Sequence, residues 1–158
     1  SNVINPSNRD KTNISVIIGK QYLYDQLIKD ILNSELVYSF THLNKMINIY
    51  PNTLKDWIEV YKKTPHRQFW DITLDTPETR KNLSRKSKIK IQYYAKLLPK
   101  DNQFFNSNIS THMLFDNKIA LFQLEPNDVK GYLVESPILY ESFVGLHKPM
   151  WDSLPDPS

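Results

Sequence analysis

The sequence predicts an α/β domain built on a mixed β-sheet flanked by helices, with a C-terminal antiparallel meander and a closing helix. Three observations carry that expectation. Short apolar runs alternate with amphipathic stretches over roughly the first hundred residues, three strand-like runs then follow with only short turns between them, and Ser136-Pro137 opens a last helix. The 158 residues, 40% hydrophobic and 23% charged, suffice for one domain with a core. We expect that domain over residues 14–154. Residues 1–13 read as a disordered polar lead-in or tag remnant and 155–158 as a tail; the missing initial Met suggests a piece of something longer.

The β-branched run 15–18 ends at Gly19 and gives way to Leu23, Tyr24, Leu27, Ile28 and Ile31 at three-to-four spacing, a strand entering a helix. Residues 36–40 form a second apolar run. After a weakly patterned 41–50, Leu54, Trp57, Ile58 and Tyr61 mark a helix that Asn52 or Thr53 would cap. Phe69, Trp70, Ile72 and Leu74 make 68–74 strand-like. Asp75-Thr76-Pro77-Glu78 is a helix start with a capping hydroxyl, a preset φ and an acid at the positive end of the dipole, and its helix should reach the mid-80s. Residues 88–93 alternate strictly and predict another strand, followed by a polar loop over 99–108. The meander comprises 110–115, 118–124 and 130–135, and on the closing helix Leu139, Phe143, Leu146 and Met150 form one stripe with Trp151 beside it. Pro149 should kink that helix near its end.

The absence of cysteine excludes disulfides, thiolate metal sites and thiol catalysis. A net charge of +3 is too small to imply nucleic-acid binding by itself. No apolar run is long enough for a membrane helix and no signal-peptide layout opens the chain, so we expect a cytoplasmic location and no membrane partner. Gly19, Gly131 and Gly145 lie too far apart for a phosphate-cradling loop, and no Ser has the flanking glycines of a nucleophile elbow. We expect no cofactor.

Two groups of residues remain as candidate sites. Arg80, Lys81, Arg85, Lys86, Lys88 and Lys90 form an acid-free basic segment, while elsewhere acids outnumber bases. Of these, Arg80, Arg85, Lys86 and Lys88 are candidates for holding an anion, against the plainer reading of a solvated helix and a lysine-guarded strand edge. The histidines, His42, His66, His112 and His147, are too far apart in sequence to form a local metal-ligand pair, and we expect no metal. His112, with Thr111, Tyr38 and Trp70, is the candidate for a ligand pocket, where aromatic faces would take an apolar or sugar-like molecule. His112 also invites comparison with phosphodiester-cleaving motifs, in which His and Lys share a strand face two residues apart and Asp follows five residues after the Lys. Here the spacing fails: counting back from Asp116 puts Ile109 and Thr111 at the His and Lys positions.

Several segments, in order over residues 15–152, resemble one known family. They are Gly19-Lys20 with the helix through Ile31 and the strand 36–40; the helix bearing Trp57, Tyr61 and Lys62-Lys63; Asp75-Thr76-Pro77-Glu78; Ser110-Thr111; residues 115–120; residues 131–136; and Phe143 with Trp151. Together they resemble the C-terminal effector domain of TrmB-like transcriptional regulators, a phospholipase-D-like fold that usually lacks the catalytic motif. The resemblance implies a non-enzymatic regulatory domain, ligand-sensing or dimerising. It also implies a homodimer, a small-molecule effector, and DNA contact only through a separate winged-helix domain not among these residues. Two features depart from the family pattern: no acid stands beside His112, and Gly145 and Pro149 interrupt the last helix. The residues leave two alternatives. One is a divergent phosphodiesterase or nuclease using His112 with a lysine of the basic segment across a dimer; the other is a direct anion- or nucleic-acid-binding module at 80–90.

Overall fold

A computed structural model describes residues 12–86, 88–101 and 111–157. The first β-branched run forms β1 (Asn13–Ile18), and Gly19, at φ 106°, makes the turn into the first helical rod, a conformation that a side chain would strain. That rod is α1 (Lys20–Leu23), a π-helical turn (Tyr24–Ile28) and α2 (Lys29–Leu32) end to end, and it buries Leu23, Leu27, Ile28, Ile31 and Leu32. Then follow β2 (Leu36–Thr41), α3 (Leu43–Ile49), α4 (Thr53–Lys63), β3 (Gln68–Leu74), α5 (Pro77–Lys86) and β4 (Tyr93–Leu98). The meander is β5 (Thr111–Phe115), β6 (Lys118–Glu125) and β7 (Asp128–Glu135), and α6 (Pro137–Ser153) closes the chain.

The seven strands form one mixed sheet in the order β1-β7-β6-β5-β2-β3-β4. β2, β3 and β4 run parallel, which requires crossover helices, and α3–α4 and α5 supply them. All other neighbours are antiparallel, and β5 and β6 are joined by a tight turn in which Asp116 and Asn117 both take positive φ, the geometry that matches strand twist. The main core lies on one face, where Leu23, Leu27, Met46, Trp57 and Tyr61 from the helices meet Val37, Phe69, Met113, Phe115 and Phe122 from the strands. On the other face Met150 and Trp151 of α6, with Leu154 just after it, pack on a smaller cluster of Phe40, Ile72 and Leu98.

Sheet, meander and closing helix agree with the expected architecture, and several local expectations need correction. Neither Asn52 nor Thr53 caps α4 through its side chain, whereas Thr76 Oγ1 accepts from Thr79 N–H at 3.1 Å and Ser136 Oγ from Leu139 N–H at 3.2 Å. The strand expected at 88–93 begins only at Tyr93, because Ile89 N–H folds back onto Lys86 O and the ladder with β3 opens at Phe69–Tyr93. The end of α6, which the Pro149 kink left in doubt, lies at Ser153, four residues beyond the proline. Leu139 and Leu146 of the expected stripe are exposed, and the buried line passes instead through His147. The 99–108 loop and Ile109 lie largely or wholly outside the described residues, as does most of the 1–13 lead-in.

Candidate functional site

Side-chain alternation along the strands decides which candidates can meet. Thr111 faces the main core, buried, and its Oγ1 accepts from His42 N–H at 3.1 Å. The next residue, His112, points to the α6 face, stacked on Phe40 with ring centroids 4.7 Å apart and edge-on to Phe143 of α6 at 6.4 Å. Thr111 and His112 therefore belong to opposite sides of the sheet and cannot share a pocket.

Tyr38 and Trp70 do come together. With His147, Lys148, Trp151 and Asp152 of α6 they line a cleft of about 230 Å³ on the α6 face. Trp70 meets Trp151 in a T-shaped contact at 5.2 Å, and Lys148 Nζ lies 5.9 Å from the centre of the Tyr38 ring. His147 forms the floor. It is almost fully buried, donates through Nε2 to Ser39 O at 3.1 Å, and leaves Nδ1 without a hydrogen bond. Burial pushes its pKa down to about 4; the Ser39 and Trp70 backbones favour the protonated ring but do not offset the loss of water. The neutral ring thus lies beneath the cleft's aromatics with its Nδ1 buried, and an ammonium and a carboxylate stand at the rim. Such a cleft has the chemistry to bind a flat ring with polar edges.

A larger cleft of about 340 Å³ lies on the opposite side, between α1 and the α3–α4 corner. Two of its polar pairs are closed, Tyr24 OH donating to Asp56 at 2.5 Å and Tyr50 OH to Lys20 O at 2.8 Å, whereas Thr53 Oγ1 is buried without a hydrogen bond.

The basic segment is not one surface. Arg80 is held by Asp75 through two short bonds of 2.7 and 2.8 Å, which also hold the Asp75 carboxyl below its usual pKa. Lys86, expected as an anion ligand, is buried: its Nζ donates to Tyr93 O at 2.8 Å and sits over the Tyr93 ring at 3.1 Å. Burial draws its pKa down to about 7 against the pull of Asp71. Arg85 and Lys88 stay exposed, with Lys81 and Lys90.

Asp71 is the residue that sequence reasoning missed. Fully buried on the core face of β3, it accepts from Ser39 Oγ at 2.7 Å, from Thr41 Oγ1 at 2.8 Å and from Tyr93 OH at 2.5 Å. Burial raises its pKa more than these donors lower it. The signal was an acid in the middle of an otherwise apolar strand run. His147 had a signal too: it stands four residues from both Phe143 and Trp151, on the line that α6 turns inward.

The sequence matches no family model and no curated protein. Solved structures share its topology. NucT from Helicobacter pylori aligns at a TM-score of 0.67 and 12% identity over 92% of this chain and 99% of its own. Nuc from Salmonella typhimurium, a phospholipase D family member, aligns at 0.58 and 14% over 92% and 98%. The fold is phospholipase-D-like. TrmBL2, an archaeal chromatin protein, aligns at 0.61 and 9% identity over 98% of this chain, which spans 56% of TrmBL2's length. At such identities the likeness is one of fold. Among the described residues no helix is long and apolar enough to cross a membrane.

Proposed function

We propose that this chain is a non-enzymatic regulatory domain of a TrmB-like transcriptional regulator, sensing a small molecule in the Tyr38–Trp70–Trp151 cleft and dimerising. One observation carries the reading. Where the phosphodiester-cleaving pattern counted back from Asp116 requires a lysine, Thr111 stands with its hydroxyl engaged by His42 N–H in the core. The aromatic cleft offers binding chemistry on the opposite face, and TrmBL2 shares the fold across nearly the whole chain. DNA contact belongs, on this reading, to a separate domain.

The test pairs two assays. Turnover of bis-nitrophenyl phosphate should be absent, and a screen of small cyclic polar compounds should find one that raises the Tm of the wild type but not of Trp70→Ala. Turnover lost in His112→Ala, with folding intact, sinks the proposal. It would promote the second reading, a divergent phosphodiesterase, which is favoured by the near-complete mutual coverage with NucT and Nuc.

A further inference from the structure

The two faces of the sheet are covered unequally. Seven strands at ~4.8 Å spacing span about 29 Å, and a single helix about 10 Å across shields only two or so strands at any height. On the α6 side that helix runs obliquely, from the β5–β6 turn, where Ser136 N–H reaches Asn117 O, to β4, where Lys96 Nζ reaches Leu154 O. Among the described residues nothing shields the face of β7 and β1 beside it.

What lies there is apolar and continuous. His112, under Phe143, is opposite Leu121 of β6, Leu121 is opposite Tyr132 of β7, and Tyr132 is opposite Val16 of β1. The neighbouring row runs Ile119, Val134, Ile14. Ile14, Val16 and Ile18 are 66%, 52% and 69% exposed, and the flank of α6 that borders this floor presents Leu139 at 40% and Leu146 at 67%. The nearby lysines sit at the rim, already paired: Lys118 with Glu135 and Lys130 with Asp128. With the half-buried Leu121, Tyr132 and Val134, the open apolar area is on the order of 700 Å², above what a monomer ordinarily exposes and close to the ~800 Å² per partner of a standard interface.

We propose that this face joins two copies of the chain about a two-fold axis, with α6 of each copy laid across β1 and β7 of the other through Leu139 and Leu146. A second copy brings the missing piece, an apolar helix flank, and receives the same in return, the self-complementarity that a two-fold contact requires. Residues 1–11, which lead into β1, carry only Val3 and Ile4 as large apolar side chains, a composition poorly matched to so apolar a face. The inference deepens the dimerising part of the proposed function and rests on it.

Sedimentation equilibrium of the 158-residue chain at tens of micromolar should show a dimer. Val16→Lys and Leu146→Glu both change exposed positions, so each should keep its circular dichroism and Tm. Each should also weaken association at least about 30-fold by placing an unpaired charge against apolar surface. Mixed in equal amounts they should dimerise again, because the new lysine then faces the new glutamate at one contact while the other contact is native. A monomeric wild type, a dimer indifferent to both substitutions, or a mixture that stays monomeric overturns the proposal. Phosphodiesterase turnover by an intact dimer would defeat the regulatory reading and leave the interface standing.

Discussion

Asp71 makes the sharpest demand on its surroundings, because a carboxyl without water must be fully served by donors. Ser39, Thr41 and Tyr93 serve it, and Asp71→Ala would strand all three hydroxyls. We expect a loss of about 3 kcal/mol in chemical denaturation for Asp71→Ala and a smaller one for Asp71→Asn, which still accepts. A loss under about 1 kcal/mol for the alanine variant would mean the network is dispensable. His147 supplies a pH dependence of known sign. Its folded pKa, about 4, lies below the ordinary 6.5, so its contribution is present above pH 6.5 and is lost as pH falls toward 4. The wild type should therefore lose up to about 3 kcal/mol relative to His147→Gln over that window. Parallel stability curves for the two proteins would refute this. Each carried only a faint signal in the sequence, Asp71 as an acid within an apolar strand run and His147 by its spacing from Phe143 and Trp151, and a histidine in a helix or an acid in a strand equally looks like a surface position; only tertiary packing reveals which side of an element is dry.

At the scale of elements, Gly131 and Gly145 separate two uses of the same residue. A Cβ at Gly131 would come within 2.5 Å of Leu23 Cδ1, where the first helical rod presses on β7, so Gly131→Ala should cost about 1–3 kcal/mol. A Cβ at Gly145 meets nothing, and Gly145→Ala should stabilise α6 by about 0.5–1 kcal/mol. Thermal melts of the pair check both signs, and a stabilised Gly131→Ala would show that the rod is not seated as described. Elements with a single strong local signal were legible: β3 from its aromatic run, α5 from Thr76-Pro77, and the β5–β6 hairpin from Asp116-Asn117. The strand expected at 88–93 misled because alternation there comes from lysines circling the end of α5, while the true β4 pairs along an almost unbroken apolar run in which period two is faint. The cleft was half legible. Tyr38 and Trp70 could be named, but that Trp151 and His147 complete it follows from the oblique path of α6, which no local pattern encodes.

For the molecule as a whole, the distribution of charge limits what it can do to a polyanion. Within the 80–90 segment, with Arg80 tied to Asp75 and Lys86 buried, Lys81, Arg85, Lys88 and Lys90 remain, so binding of a labelled duplex through this segment should be weak, with a log–log salt slope no steeper than about 3–4. Submicromolar affinity with a steeper slope, abolished by Arg85→Glu with Lys88→Glu, would restore the direct nucleic-acid reading. The sheet also joins segments far apart in sequence: β1 lies at its edge and pairs, among the described residues, with β7 alone, and Asn13 Nδ2 bonds Glu135 Oε2 at 2.9 Å across 122 residues. During synthesis the first strand therefore has no place to go until nearly all of its successors have left the ribosome, a wait on the order of ten seconds at ordinary elongation rates. Throughout that interval Ile14, Val16 and Ile18 are carried on an unpaired strand, and the high contact order of its eventual pairing makes this closure a late event in folding.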